Sequence, residues 1–383
     1  MRPLNTRRMV LAAAAAAALA GLSAGPSGPV AEAAARPAGH PAELTASAPV
    51  RVVASGLNGP RGLVWGPHGH LLVGEAGTIP SLCDTSNPAG VNCFGLTGSI
   101  ADVSSGSPVR IRTGLASLLN GGEMVGPDDL EYVDGHLYAL EPASPEFVPA
   151  GLPGLTPELS ATLKKQYGAL LDVTGRSPRA VANPGDVDYQ WAPDHDGNPY
   201  ALAANPRGGF YLVDGGSNTL DSIDRHGNVQ VLALVPNTPG GANSVPTCLD
   251  IGPDGAVYIG ELTGFGGSAT DADVFRYVPR TGALTVWQSG FSAINGCGFG
   301  ANGDFYVTEF DTTGFPSSDV PPTGAVVQIG RDGRRTTLGA GKLFAPAGFL
   351  AGRDGSLYVS NYSSMWPFGD PAYSTSGQVV KIG

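Results

Sequence analysis

Short apolar runs separated by glycine-, asparagine- and aspartate-rich turns fill this chain. One pattern recurs six times: HGHLLVGEAG (68–77), DGHLYALEPA (134–143), GGFYLVDGGS (208–217), DGAVYIGELT (254–263), GDFYVTEFDT (303–312) and DGSLYVSNYS (354–363). The second residue of each apolar pair is Leu72, Tyr138, Tyr211, Tyr258, Tyr306 or Tyr358. Three positions later stands Glu75, Glu141, Asp214, Glu261, Glu309 or Asn361. Short apolar runs rich in valine and tyrosine, bounded by turn residues, predict strands.

A second marker lies 14 or 15 residues before each polar position: Pro60, Pro127, Pro199, Pro246, Asn295 and Pro346. Between the markers run an apolar stretch and a turn, and Asp-Gly in several copies is a strong hairpin signal. Downstream come further strand-like pieces, such as 273–290 and 325–339. Each unit therefore predicts four antiparallel strands, and six such units predict an all-β, six-bladed β-propeller. The last unit ends on a third strand, GQVVKIG (377–383), while PVRVVASGL (49–57) precedes the first marker unpaired. Pairing the two would close the ring and hide both free edges. The propeller domain is thus expected to span 49–383.

Two spacings are long. Tyr138 follows Leu72 by 66 residues and Tyr211 follows Tyr138 by 73. The second surplus, 142–197, predicts one helical insertion between blades two and three. Thr156 can cap it, Pro157 suits its first turn, and Glu158 favours its positive end. Leu159, Leu163, Tyr167, Leu170 and Leu171 would form its apolar stripe. A helix there is expected to lie across one face of the ring, beside a binding site.

Composition adds the setting. Gly (57) and Pro (33) in 383 residues disfavour long helices. Residues 1–33 read as a signal peptide: Arg2, Arg7 and Arg8, then an apolar run from Met9 to Leu22, then Ala31-Glu32-Ala33 as an A-x-A cleavage site, with Leu22-Ser23-Ala24 as a competing one. Thr6-Arg7-Arg8-Met9-Val10-Leu11 also resembles a twin-arginine signal, so the general and the twin-arginine routes both stay open. Residues 34–48 read as a disordered lead-in. The expected location is outside the cell, with no transmembrane anchor. Cleavage removes three Arg and one Glu, leaving 19 basic and 32 acidic side chains, a net −13. That charge repels phosphate backbones and argues against nucleic acid as a partner. A small molecule, glycan or protein remains, and a monomer is expected. In an exported chain Cys83 and Cys93 predict a disulfide across a short loop; Cys248 and Cys297 read equally as a second bridge or as two buried thiols.

Candidate chemistry divides in two. A carboxylate repeated once per blade (Glu75, Glu141, Asp214, Glu261, Glu309, with Asn361 as its amide counterpart) reads as a structural position that accepts backbone N–H bonds and locks blades together. The residues just after each marker differ between copies: Arg61, Asp128 with Asp129, Tyr200, Thr247, Gly296 after Asn295, and Ala347. Innermost strands begin at the mouth of the central channel, so Arg61, Asp128, Asp129, Tyr200, Thr247 and Asn295 are the candidate ligand-binding set. Asp128, Asp129, Asn243 and Asn295 could also offer hard oxygen ligands to calcium, although Arg61 in the same mouth would oppose a cation. Asp194-His195-Asp196-Gly197-Asn198 begins like a calcium loop and fails at Pro199, where that loop needs glycine. His68-Gly69-His70 reads as a solvated hairpin turn. No catalytic residue is assigned.

The stretches 56–77, 164–171, 196–218 and 245–265, with the closing DGSLYVSNYSS…GQVVKIG, together resemble the ScyD/ScyE family of secreted proteins, related to NHL-repeat and TolB-like six-bladed propellers. The resemblance covers nearly all of the mature chain and respects the order of its insertions. It implies the propeller fold and export, and brings no established activity or accepted catalytic residue. The function expected from the sequence is a binding or scaffold propeller using the channel mouth and the face carrying the helical insertion. The alternative is a calcium-dependent hydrolase or lyase of the sugar-lactonase propeller type.

Overall fold

A computed structural model describes residues 44–85, 91–120, 123–264, 267–315, 322–363 and 377–383. The leader reading, residues 1–33, lies outside them. The strands form six antiparallel sheets, ordered along the chain as the repeat dictates. Blade three shows the plain unit: Pro199–Ala204, Phe210–Asp214, Thr219–Ile223 and Val229–Leu234, each strand paired with the next. Blades four and five repeat it from Pro246–Ile251 to Ala283–Phe291 and from Ile294–Phe299 to Arg335–Phe344. Blade six holds Phe349–Ala351, Leu357–Asn361 and Gly377–Ile382, with Val50–Leu57 antiparallel on its outer edge.

Blades one and two depart from the plain unit. Blade one is a six-stranded sheet, not four: a short strand, Leu82–Asp84, pairs with Asn92–Asp102, and an extra strand, Glu123–Val125, pairs with Val109–Asn120. The surplus expected as one insertion between blades two and three supplies two strands of blade two, Leu170–Asp172 and Arg179–Ala182. It also holds two helices rather than one. Helix α1, Pro157–Gln166, lies inside blade two, between its second and third strands; only α2, Pro184–Trp191, falls between the blades.

Helix α1 starts where Thr156 accepts a hydrogen bond from the Leu159 amide at 3.2 Å. It stops before Gly168, whose φ of +70° suits glycine. Leu170 and Leu171, expected on the helical stripe, are therefore strand residues. Leu163 and Tyr167 are buried against Phe94, Ala116 and Leu118 of blade one, and the Tyr167 hydroxyl donates to the Ser117 carbonyl at 2.8 Å. An insertion grown from blade two thus clamps blade one. The lead-in also differs from expectation at its end, because Leu44 and Ala48 pack against the apolar core between blades five and six.

The repeated tyrosine explains how neighbouring blades adhere. Tyr138 meets Phe210 of blade three edge-on, with centroids 4.9 Å apart. Tyr258 meets Phe299 of blade five at 5.0 Å, Tyr306 stacks on Phe349 of blade six at 5.5 Å, and Tyr358 meets Trp65 of blade one at 5.2 Å. Each such pair stabilises by about 0.5–1.5 kcal/mol beyond its buried area. Nearer the axis, Gly62 and Gly348 let inner strands approach. A Cβ on either would collide with the neighbouring blade, on Asp129 and on the Arg61 carbonyl respectively.

Candidate functional site

The inner strands begin on one face of the ring, and their first residues converge on a cavity of about 50 Å³. Arg61, Asp128, Asp129, Tyr200, Thr247 and Asn295 all line it, contributed by blades one to five. Both Cys248 and Cys297 also line it. They form a disulfide between the inner strands of blades four and five, and Cys83–Cys93 is the second bridge. Two disulfides are compatible with an extracellular protein. No helix among the described residues is long and apolar enough to cross a membrane.

A polar chain crosses the cavity. Arg61 Nη2 donates to Glu123 Oε1 at 3.4 Å and to the Met124 carbonyl, while Nη1 donates to the Tyr200 hydroxyl at 3.4 Å. That hydroxyl donates in turn to Asn295 Oδ1 at 2.6 Å. The Thr247 hydroxyl donates to the Ile294 carbonyl, tying blade four to blade five. Burial by itself would lower the basicity of Arg61; Tyr200, Asp128 and Glu123 around it more than offset this, so the guanidinium stays charged. Burial raises Tyr200, so the phenol stays neutral.

Asp128 is the unsettled member. Its Oδ1 lies 3.6 Å from Arg61 Nε, beyond hydrogen-bond reach, and both carboxylate oxygens are buried without a hydrogen-bond partner, as is Arg61 Nε. Burial pushes its pKa up to about 8, against the pull of Arg61 and with help from Glu123 and Asp129. Buried polar atoms are normally paired. A cavity of this size admits a few waters or one ligand group able to pair with them.

The polar positions repeated once per blade differ among themselves. Glu75 accepts from the Asn58 amide (2.8 Å), the Ser99 hydroxyl (2.6 Å) and Arg110 (2.8 Å). Asp214 accepts from the amides of Asn198, Gly216 and Ser217, Glu261 from Asp273, Glu309 from Ser292, and Asn361 from Phe344. Glu141 accepts nothing: both oxygens are buried and without a hydrogen-bond partner. Burial and the nearby Asp128 hold its pKa well above the ordinary value. Glu123 was not singled out by sequence, because its strand has no counterpart in the other blades.

The proposed calcium ligands do not fit a divalent ion. Asp129 already accepts from the amides of Leu130 and Leu202, each at 2.9 Å, and Asn295 Oδ1 takes the Tyr200 proton. Asn243 is exposed and does not line the cavity. Asp128 faces a guanidinium. Among the described residues, no three His, Cys, Asp or Glu side chains are grouped to hold a metal. In the segment that begins like a calcium loop, Asn198 Oδ1 accepts from the Ala143 amide at 3.0 Å and His195 Nδ1 pairs with the Tyr189 carbonyl. His68 sits exposed on its turn, while His70 pairs with Asp102.

No known family profile matches the chain, and no curated protein matches it. Solved structures do. A Bacteroides thetaiotaomicron structural-genomics protein of unknown function aligns with a TM-score of 0.52 at 11% identity, over 87% of this chain and 75% of that one. A virginiamycin B lyase from Staphylococcus aureus aligns at 13% identity and TM-score 0.46, over 87% and 98%. A protein titled putative gluconolactonase gives 13% and 0.45, over 89% and 94%. At such identities the likeness speaks to fold alone, and the fold is a β-propeller.

Proposed function

We propose that this chain is an exported propeller of the ScyD/ScyE kind that binds a small polar molecule, or one polar group of a larger glycan or protein, at its channel mouth. The observation that carries this reading is Asp128: a buried carboxyl with two unpartnered oxygens, facing an unpartnered guanidinium N–H across a small polar cavity. A whole sugar needs several times 50 Å³, since ligand pockets run to about 300–1,000 Å³. The ligand therefore rests over the mouth and inserts one group, which both accepts from Arg61 and donates to Asp128. The residues that differ between blades would set specificity, and the insertion carrying α1 would wall that face. In the same reading the leader sends the chain out by the general or the twin-arginine route, the propeller spans 49–383 as a monomer, and Val50–Leu57 closes the ring.

The test is thermal melting against a panel of sugar acids, lactones and amino acids, with calcium or with EDTA. A ligand that raises Tm in the wild type should lose its effect in Asp128→Ala and Asn295→Ala, with no turnover in any sample. A second reading, hydrolase or lyase chemistry, draws on the raised Asp128 pKa, since such groups concentrate at catalytic sites. Ligand turnover that EDTA abolishes would favour that reading and overturn the first.

A further inference from the structure

The opposite face of the ring carries a second, larger concavity. A groove of about 910 Å³ opens where the inner hairpins of blades six, one and two meet, lined by Trp65, His68, Tyr132, Arg353, Asp354 and Tyr358. It falls within the size range of ligand sites, and the channel reading makes no use of it.

Its rings are held in place before any ligand arrives. Trp65 Nε1–H donates to the Ala351 carbonyl at 2.9 Å, and its ring meets Tyr358 edge-on. Tyr132 is half-buried and packs against the apolar core shared by blades one and two. Rigid rings lose little freedom on binding. Their negative faces suit the flat, weakly positive C–H faces of pyranose sugars.

The groove's charges point to one kind of sugar. Asp354 is committed, to Lys381 Nζ at 2.8 Å and to the Ser356 hydroxyl, and Asp102 on blade one is paired with His70. Arg51 lies directly across the strand pair from Lys381. Arg353 is exposed and makes no hydrogen bond or ion pair among the described residues. A free guanidinium at a pocket rim, in a chain of net charge −11, offers two parallel donors to a carboxylate. We infer that this groove binds an acidic oligosaccharide, with sugar rings on Trp65 and Tyr132 and a carboxylate on Arg353.

Titration calorimetry of the folded mature chain at low salt tests this, with a hexameric oligouronate and a neutral glucose hexamer as probes. The oligouronate should bind, and the neutral hexamer about tenfold more weakly or not at all. Arg353→Ala should remove that preference, Tyr132→Ala should weaken oligouronate binding about tenfold, and Tyr132→Phe, which keeps the ring, should retain it. Oligouronate binding that is lost in Asp128→Asn but kept in Arg353→Ala would place the sugar at the channel mouth and overturn this proposal alone, so failure of the channel reading and failure of this one are separate results. No oligouronate binding by the wild type, equal binding of both hexamers, or unchanged affinity in folded Arg353→Ala and Tyr132→Ala would overturn the proposal.

Discussion

Glu75 ends the second strand of blade one, Glu141 directly follows that of blade two, and the two have opposite surroundings. Glu75 is encircled by an amide, a hydroxyl and a guanidinium. Glu141, equally buried, has no donor at all. The cause lies in the chain that enters each blade. Blade one is entered through the turn Asn58-Gly59, whose carbonyls accept from Gly77 and Ala76 and whose Asn58 amide donates to Glu75. Blade two is entered from the extra strand Glu123–Val125, in which Val125, two residues before the marker like Asn58, pairs with Leu118 of Val109–Asn120 instead. Position in a repeat sets where a side chain lies; the supply of donors decides what it does there. Blade two is left with two unsatisfied carboxyls, Glu141 and Asp128, with Asp128 close enough to add to the rise that burial gives Glu141.

The largest expected effect separates these two glutamates. Glu75→Ala strands the buried Ser99 hydroxyl and breaks the ion pair with Arg110, and should cost about 3 kcal/mol in chemical denaturation. Glu141→Leu removes an unpaired buried carboxyl and should change stability by less than about 1 kcal/mol, or increase it. Equal losses in the two variants would erase the distinction.

Next in size is the dependence on pH. Burial raises Asp128 and Glu261 to about 8, and raises Asp188, which lies against Asp214 and Asp221, to about 10. A carboxyl whose folded pKa exceeds its unfolded value near 4 keeps its proton longer in the folded state. Its contribution therefore falls as pH rises from about 4 toward the folded pKa. Asp172, depressed to about 2 by its hydrogen bonds from Thr174, Arg179 and His136 despite partial burial, acts oppositely and loses its contribution below about pH 4. Melting temperature should thus peak near pH 4–5 and decline toward pH 8, with a shallower decline in Asp188→Asn. A Tm that climbs from pH 5 to 8 would contradict the buried-carboxyl picture. The smallest effect belongs to the seams: Tyr138→Leu, which loses its edge-on contact with Phe210, should cost about 1 kcal/mol.

The ring was legible in the sequence because a blade is a local pattern. Apolar pairs, Asp-Gly turns and the polar residue three positions on all fall within about one hairpin, and the tyrosine row recurs with them. Residues 142–197 were read less well. Propensity continued α1 through Leu170 and Leu171, but Gly168 reverses the chain and pairing with His136–Leu140 claims them as strand. The channel set could be read from its offset to the marker, since that offset fixes where an inner strand begins. The state of each member could not. Whether Asp129 meets the Leu202 amide, or Glu141 meets none, depends on contacts between blades that have no trace in local spacing.

The central claim is that Asp128, at the cavity, is available to a ligand whereas Glu261, a once-per-blade carboxylate away from it, is not. Calorimetric titration of the strongest ligand from the melting panel into wild type, Asp128→Asn and Glu261→Gln tests it most directly. The account predicts at least about a tenfold loss of affinity in Asp128→Asn and a change within about twofold in Glu261→Gln, whose Oε1 is tied to the Asp273 amide and which does not line the cavity. Unchanged affinity in a folded Asp128→Asn, or an equal loss in Glu261→Gln, would contradict it.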